Sequence, residues 1–183
     1  MLSSSWPLFD LQIHTPDLTL RLPSDEELGL LARRAEGNVL DEHTQHYMTG
    51  WTRLRSPEFE RSFVQHHWLM RASWSPAKWN WLAGIYPSGE EQPVGIMGLS
   101  AQDFLAKRVV STGSWLLCEW QGRGLGKQAR GMILAFAFDH LGATEARTFA
   151  SPDNAASPEP ARKPLDLILP GGESMGRNGR SVA

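Results

Sequence analysis

Apolar and polar positions alternate early in the chain. Leu18, Leu20 and Leu22 fall on one side of an extended segment, with Thr19 and Arg21 on the other, which predicts a strand. A similar piece, Leu8–Ile13, precedes it across Thr15-Pro16-Asp17. The period then changes. Ser24 and the acids Asp25, Glu26 and Glu27 form a helix start, Leu28, Leu31, Ala32 and Ala35 give that helix one apolar face, and Gly37-Asn38 stops it. A second helix is expected from Ser56-Pro57-Glu58, with Ser56 as N-cap and Pro57 in the first turn. Phe59, Phe63, His67 and Met70 recur along it at helical spacing as far as Arg71.

After Ser75-Pro76 the pattern becomes that of strands. Trp79–Tyr86 and Pro93–Leu99 are expected to form a hairpin around Pro87-Ser88-Gly89, and Arg108–Leu117 a third strand after a loop holding Asp103-Phe104. Within the last of these, Ser114–Cys118 is an apolar run leading to Gln121-Gly122-Arg123-Gly124-Leu125-Gly126. From there Leu125, Ala129, Met132, Ile133, Phe136 and Ala137 mark a long helix to about Leu141, closed by Gly142. Glu145–Ala150 reads as a final strand, parallel to Ser114–Cys118 because a helical crossover joins them. The order is therefore strand, two helices, three antiparallel strands, long helix, strand.

The three alternate glycines at a helix start carry the chemistry. They let the chain turn sharply and bring several N–H groups toward a ligand, where the helix dipole favours negative charge. Lys127 and Arg130 add mobile positive charge one turn inside, so a phosphate or pyrophosphate is expected here. A nucleotide P-loop needs a glycine five residues before Gly-Lys and a Ser or Thr after it; these positions hold Gln121 and Gln128. Gly124-Leu-Gly126-Lys-Gln-Ala129 satisfies the weaker dinucleotide fingerprint. That fingerprint needs an acid about 20 residues on, and the nearest, Asp153, lies later, in a Ser-Pro-Asp-Asn loop.

Composition narrows the field further. Of the 183 residues 41% are hydrophobic and 21% charged, as in an ordinary soluble domain. A net charge of -2 argues against nucleic acid as partner. No run approaches the ~20 apolar residues of a membrane span, and Met1–Pro7 lacks the regions of a signal peptide. The single cysteine, Cys118, allows no internal disulfide; with the missing signal it leads us to expect a cytoplasmic protein. Asp41, His43 and His46 do not make a metal site, since His-x-x-His has no third ligand at a fitting spacing. Five of the eight tryptophans fall between Trp51 and Trp81, a clustering that suits core packing or a pocket wall. Of His66-His67, one imidazole is expected packed and one exposed.

Gln121-Gly-Arg-Gly124-Leu-Gly126 resembles the Gln/Arg-x-x-Gly-x-Gly/Ala acyl-coenzyme A loop of the GCN5-related N-acetyltransferase (GNAT) superfamily. The flanking Thr112-Gly-Ser-Trp-Leu and Phe138-Asp-His-Leu-Gly142 resemble its ribosomal-protein-alanine acetyltransferase branch. The resemblance is good from Pro93 to Ser157, weaker from Leu18 to Gly89 and poor beyond Ser157. It implies an α/β (mixed α+β) fold with a central, mostly antiparallel mixed sheet flanked by helices. It also implies acetyl transfer from acetyl-CoA to a primary amine, on a protein N-terminus or a small molecule, by direct attack in a ternary complex. The backbones of Trp115, Leu116 and Leu117 would pair with pantetheine. The amides of Gln121, Gly122, Arg123, Gly124, Leu125, Gly126 and Lys127 would hold the pyrophosphate, and Asn154, from Asn154-Ala-Ala-Ser157, the pantetheine arm. Asp103 and Glu119 are candidate bases. Ser157 stands in as candidate acid, because neither Tyr47 nor Tyr86 falls where the family places its tyrosine.

The tail departs from the family. Pro158, Pro160 and Pro164 interrupt the expected last helix, and the glycine-rich remainder is short for a closing hairpin. The expected organisation is a domain over residues 1–157 and a divergent segment over 158–183. A non-catalytic or impaired acyl-CoA binder is the alternative function. An incomplete sheet edge would also favour a homodimer.

Overall fold

The computed structural model describes residues 5–39 and 51–148. Pro7–Phe9 forms a single 3-10 turn where a strand was expected, because Pro7 cannot donate to a ladder and its fixed φ suits a turn. The alternating segment that follows is a small hairpin of β1 (Gln12–His14) and β2 (Leu18–Arg21). Helix α1 (Asp25–Ala35) starts on a reciprocal cap. The Glu27 N–H donates to Ser24 Oγ at 3.1 Å, and the Ser24 N–H donates to Glu27 Oε2 at 2.7 Å. Such a cap satisfies two helix-end donors at once. Glu27 also accepts both Arg21 guanidinium nitrogens, at 3.0 and 2.5 Å, and the Tyr86 hydroxyl at 3.1 Å. The cap therefore docks α1 on β2 and on the central hairpin.

Helix α2 (Glu58–Ala72) departs from expectation at its start: Pro57 takes the N-cap position and supplies no side-chain cap. Ser56 is engaged elsewhere. Its N–H donates to Glu36 Oε1 at 3.0 Å and its hydroxyl to Glu36 Oε2 at 2.6 Å, so it ties α2 to the end of α1.

Strands β3 (Lys78–Pro87), β4 (Gly95–Gln102) and β5 (Val109–Leu116) form the centre. β4 runs three residues past the expected Leu99, because Ser100, Ala101 and Gln102 continue the ladder with Asn80, Trp79 and Lys78. Between β4 and β5 sits the four-residue helix α3 (Phe104–Lys107), flanked by Asp103 and Arg108 at φ 53° each. Helix α4 (Leu125–Ala135) widens into a π turn over Phe136–His140 before Gly142, at φ 71°, ends it. The wider turn lets Phe136, Phe138 and Leu141 pack against the same core as buried Ala137. Strand β6 (Glu145–Thr148) pairs in parallel with β5, opposite Val109–Thr112 rather than the expected Ser114–Cys118.

The six strands of the described residues lie in one sheet in the order β1-β2-β3-β4-β5-β6, antiparallel except for the β5–β6 pair. This is the mostly antiparallel mixed sheet that was expected. Each face has its own core. On one, α4 buries Ala129, Ile133 and Ala137 against Leu20, Ile85 and Met97. On the other, α1 and α2 bury Leu28, Leu31, Phe59 and Phe63 against Ile96 and Leu117. β4 and β5 approach closely at Gly95, where a Cβ would run into the Trp115 carbonyl and lie 2.9 Å from Leu116 Cα. Ser157, the tail from 158 to 183 and the boundary between them fall outside the described residues.

Candidate functional site

Two features share β5. The first is the corner where β5 passes through a 3-10 turn (Cys118–Trp120) into the glycine loop and α4. Gly122 (φ 72°) and Gly124 (φ 81°) occupy the left-handed region that glycine alone enters without penalty. A Cβ on either would meet nothing within 4 Å, so these glycines serve backbone conformation and leave the surface above the loop open. Gly124 is the N-cap of α4 and offers no side chain to the first-turn N–H groups, which stay directed at whatever approaches the corner. Leu125 is half-buried against the core, while Arg123 and Lys127 are exposed; the Arg123 guanidinium lies 4.7 Å over the Trp120 ring. The backbone and charge of this corner fit a pyrophosphate.

The loop is braced from two sides. The Gln121 side-chain amide donates to the Leu116 carbonyl at 2.8 Å and to the Val39 carbonyl at 3.0 Å. Gln121 thus acts through its side chain on the loop itself, a role its sequence position did not reveal. From the turn after α1, Asn38 Nδ2 donates to Glu119 at 2.9 Å and the Asn38 carbonyl accepts the Cys118 N–H at 2.9 Å, while Arg34 of α1 lies 3.6 Å from the same carboxylate. Burial alone would push the Glu119 carboxyl up, but a backbone N–H, Asn38 and Arg34 outweigh it and hold the group below the usual carboxylate range.

Of the three backbones expected to pair with pantetheine, Leu117 is already engaged. Its N–H donates to Val94 and its carbonyl accepts from Trp120, both at 2.9 Å. Leu116 and Trp115 pair on one side with Gly95 and Ile96. On their other side no described strand lies opposite, since β6 is described only as far as Thr148, opposite Thr112.

The second feature is a cleft of about 690 Å³ between α2 and the sheet. Its floor comes from β3, β4 and β5 in register. Asn80 lies opposite Ser100 and Ser100 opposite Ser111; two residues along, Leu82 lies opposite Gly98 and Gly98 opposite Gly113. Because side chains alternate between faces, these two rows share the face toward α2. The glycine pair lowers the floor, and a Cβ on Gly113 would meet nothing within 4 Å. The wall is aromatic: Trp51 stands 5.7 Å from Phe59 and 5.7 Å from Trp115, and Phe63 stands edge-on to Trp115 at 5.9 Å. The glycines and the ring wall escaped the sequence reading, since only the register shows Gly98 beside Gly113.

His66 and His67 are the titratable groups among the described residues lining this cleft. His67 is 4% exposed and packs on Phe63 at 5.0 Å. Burial, then the charges of His66 and Arg71, push it down to about 3. His66 is the exposed one, and its partial burial lowers it below the usual histidine value. Both imidazoles are therefore neutral at pH 7. Neither candidate base lines the cleft: Asp103 is exposed and paired with Lys107 at 2.9 Å, and Glu119 is the loop brace described above. Asn154 and Ser157 lie outside the described residues, as do Asp41, His43 and His46. Among the described residues no group of three or more His, Cys, Asp or Glu gathers as metal ligands, and no helix is long and apolar enough to cross a membrane.

A mixed sheet here feeds one strand into a glycine-rich helix start beside a cleft, an arrangement suited to holding an acyl-coenzyme A donor next to an acceptor. The family model of the acetyltransferase (GNAT) domain matches residues 17–163, and the chain belongs to that family, the acetyl-CoA-dependent N-acetyltransferases. Solved structures share the fold. RimJ from Mycobacterium smegmatis, in complex with CoA-disulfide, is 19% identical with a TM-score of 0.60, over 80% of this chain and 69% of that one. The ribosomal-protein-S5-alanine acetyltransferase of Vibrio fischeri is 16% identical with a TM-score of 0.55, over 80% and 78%. A chimera of the spermidine N-acetyltransferase SpeG from Vibrio cholerae with hSSAT is 16% identical with a TM-score of 0.51, over 75% and 72%.

Proposed function

We propose that the enzyme transfers an acetyl group from acetyl-CoA to a primary amine by direct attack within a ternary complex. The observation that carries this reading is the double use of β5, whose Gly113 and Trp115 line the cleft while its end runs directly into the glycine loop. A donor held by its pyrophosphate at the loop amides of Gly122–Lys127, with pantetheine along Trp115 and Leu116, would bring its thioester to the cleft floor. The Gln121 N–H, expected among these amides, is instead taken by the Cys118 carbonyl at 3.1 Å. Asn154 would hold the pantetheine arm.

In this reading the cleft orients a neutral amine, and orientation supplies most of the rate. The nitrogen bonds to the thioester carbonyl carbon, the carbon–sulfur bond breaks and the coenzyme leaves as its thiolate. His66, neutral and solvent-facing, accepts the proton that the nitrogen loses on bond formation and passes it to water. The Ser157 hydroxyl relays a solvent proton to the thiolate. Glu119 and Asp103 act as structural acids, Glu119 by bracing the loop.

Calorimetry with acetyl-CoA followed by thiol release over an amine panel tests the reading. Binding with amine-dependent thiol release is the expected result. Binding without turnover would favour a non-catalytic acyl-CoA binder, and no binding would overturn both.

A further inference from the structure

The cleft has a definite chemical character. Four rings, Trp51, Phe59, Phe63 and Trp115, stand along its wall at centroid separations of 5.7 to 6.2 Å. No Asp or Glu is among the described residues lining it. The nearby acids look elsewhere: Glu119 pairs with Arg34, Asp103 with Lys107 and Glu60 with Arg33. A polycationic acceptor entering here would give up water around each ammonium without gaining a carboxylate from the described lining, which is costly in a half-enclosed site. A flat uncharged group would instead bury its faces against the rings.

The floor is shaped to match. Gly113 leaves a notch below the rings, next to Gly98 where the Leu82 side chain comes close, and the row Asn80, Ser100, Ser111 supplies polar groups beside it. Ser100 Oγ donates to the Ser111 carbonyl at 3.4 Å, which leaves its lone pairs available as acceptors. The site thus has an apolar slot and a polar edge, the division an amine on a short arm from a ring requires.

Resting on the acetyltransferase reading above, we propose that the acceptor is a primary amine carried on a short alkyl arm from an aromatic ring. The ring occupies the notch between the aromatic wall and Gly98–Gly113, and the amine faces Asn80, Ser100 and Ser111. A free arylalkylamine and a peptide with an aromatic first residue present this chemistry alike.

The test is equilibrium binding by calorimetry to the full chain saturated with coenzyme A, which needs no turnover. The probes are tryptamine, phenethylamine, a Phe-Gly dipeptide amide, spermidine and glycinamide. Tryptamine and phenethylamine are expected to bind at least ~10-fold more tightly than spermidine or glycinamide, the scale of discrimination an apolar pocket achieves. The dipeptide arm identifies the source: tighter binding than phenethylamine indicates a peptide, weaker binding a free amine. Gly113→Leu, at a position where a Cβ would meet no neighbour within 4 Å, projects into the notch and should reduce the aromatic-to-glycinamide ratio by ~10-fold. Equal or tighter binding of spermidine, or an unchanged ratio in the variant, would overturn the assignment. A protein that binds coenzyme A but shows no aromatic preference defeats only this inference. Failure to bind acetyl-CoA defeats the acetyltransferase reading itself, and the aromatic preference is then measured on the protein alone.

Discussion

The Gln121 side-chain amide donates to the Leu116 carbonyl at 2.8 Å, so the residue that opens the glycine loop grips the last residue of the strand leading into it. Its second hydrogen reaches the Val39 carbonyl at 3.0 Å. Gln121→Leu removes both bonds and leaves two carbonyls short of a partner. Acetyl-CoA affinity should fall by ~10-fold, about the worth of one or two lost hydrogen bonds, measured by calorimetry. Gln121→Glu should do no better, because a carboxylate cannot donate to either carbonyl.

Gly124 caps α4 at φ 81° over open surface. Gly124→Ala should cost about 1 kcal/mol of stability from the left-handed backbone alone, read as a lowered Tm. If the proposed donor site is right, Gly124→Glu should in addition abolish acetyl-CoA binding, since its carboxylate would meet the pyrophosphate. Retained affinity in the Glu variant would show that the donor binds elsewhere.

Gly95 has no room for a side chain against the Trp115 carbonyl. Gly95→Ala must push β4 away from β5, and a loss of about 1–3 kcal/mol is expected by analogy with overpacked cores. Chemical denaturation measures it, with Gly113→Ala, whose Cβ is unobstructed, as the control with little change.

His67 gives stability a pH dependence. Its folded value near 3 lies below the ordinary 6.5, so the unfolded chain takes up a proton that the folded protein refuses. The stability is fully present above pH 6.5 and declines as pH falls toward 3, at up to about 1.4 kcal/mol per pH unit. His66, lowered in the same sense by burial, adds to the slope. Glu27, Glu36 and Glu119 are also lowered, but from 4.5, so they act in a more acid window. His67→Phe should flatten the unfolding free energy between pH 6.5 and 5; an unchanged slope would mean that the buried imidazole is charged.

His66→Ala should lower kcat by ~100-fold or more if this imidazole takes the amine proton. The wild-type rate should fall on the acid side at a pH below 6.5, and that limb should vanish in the variant. A structural role would leave the limb in place.

Much of this architecture was legible because short-range chemistry set it. Ser24 and Glu27 fix the start of α1 within four residues, and the glycine spacing at 122, 124 and 126 marks the sharp turn into α4, the corner proposed for the donor, without tertiary information. Ser56 shows the opposite case. As an N-cap it fitted every local rule, yet Glu36, twenty residues away, takes its hydrogen bonds. The cleft proposed for the acceptor was similarly hidden. Gly98 and Gly113 look like ordinary strand glycines until the β4–β5 register sets them side by side. Likewise, His66 differs from His67 only in which face of α2 meets the sheet.

Three of the four rings of the wall are fastened elsewhere than the glycine corner, while the fourth, Trp115, shares β5 with it. Trp51, Phe59 and Phe63 belong to the helical layer, whereas the loop at Gly122–Gly126 hangs from β5 and α4. Exchanging α2 and the turn before it would therefore change most of the ring wall of the proposed acceptor cleft and leave the glycine loop and Trp115 in place. Such a scaffold lends itself to acquiring new amines by drift in one helix, and chimeras that graft a foreign α2 are the natural way to steer it.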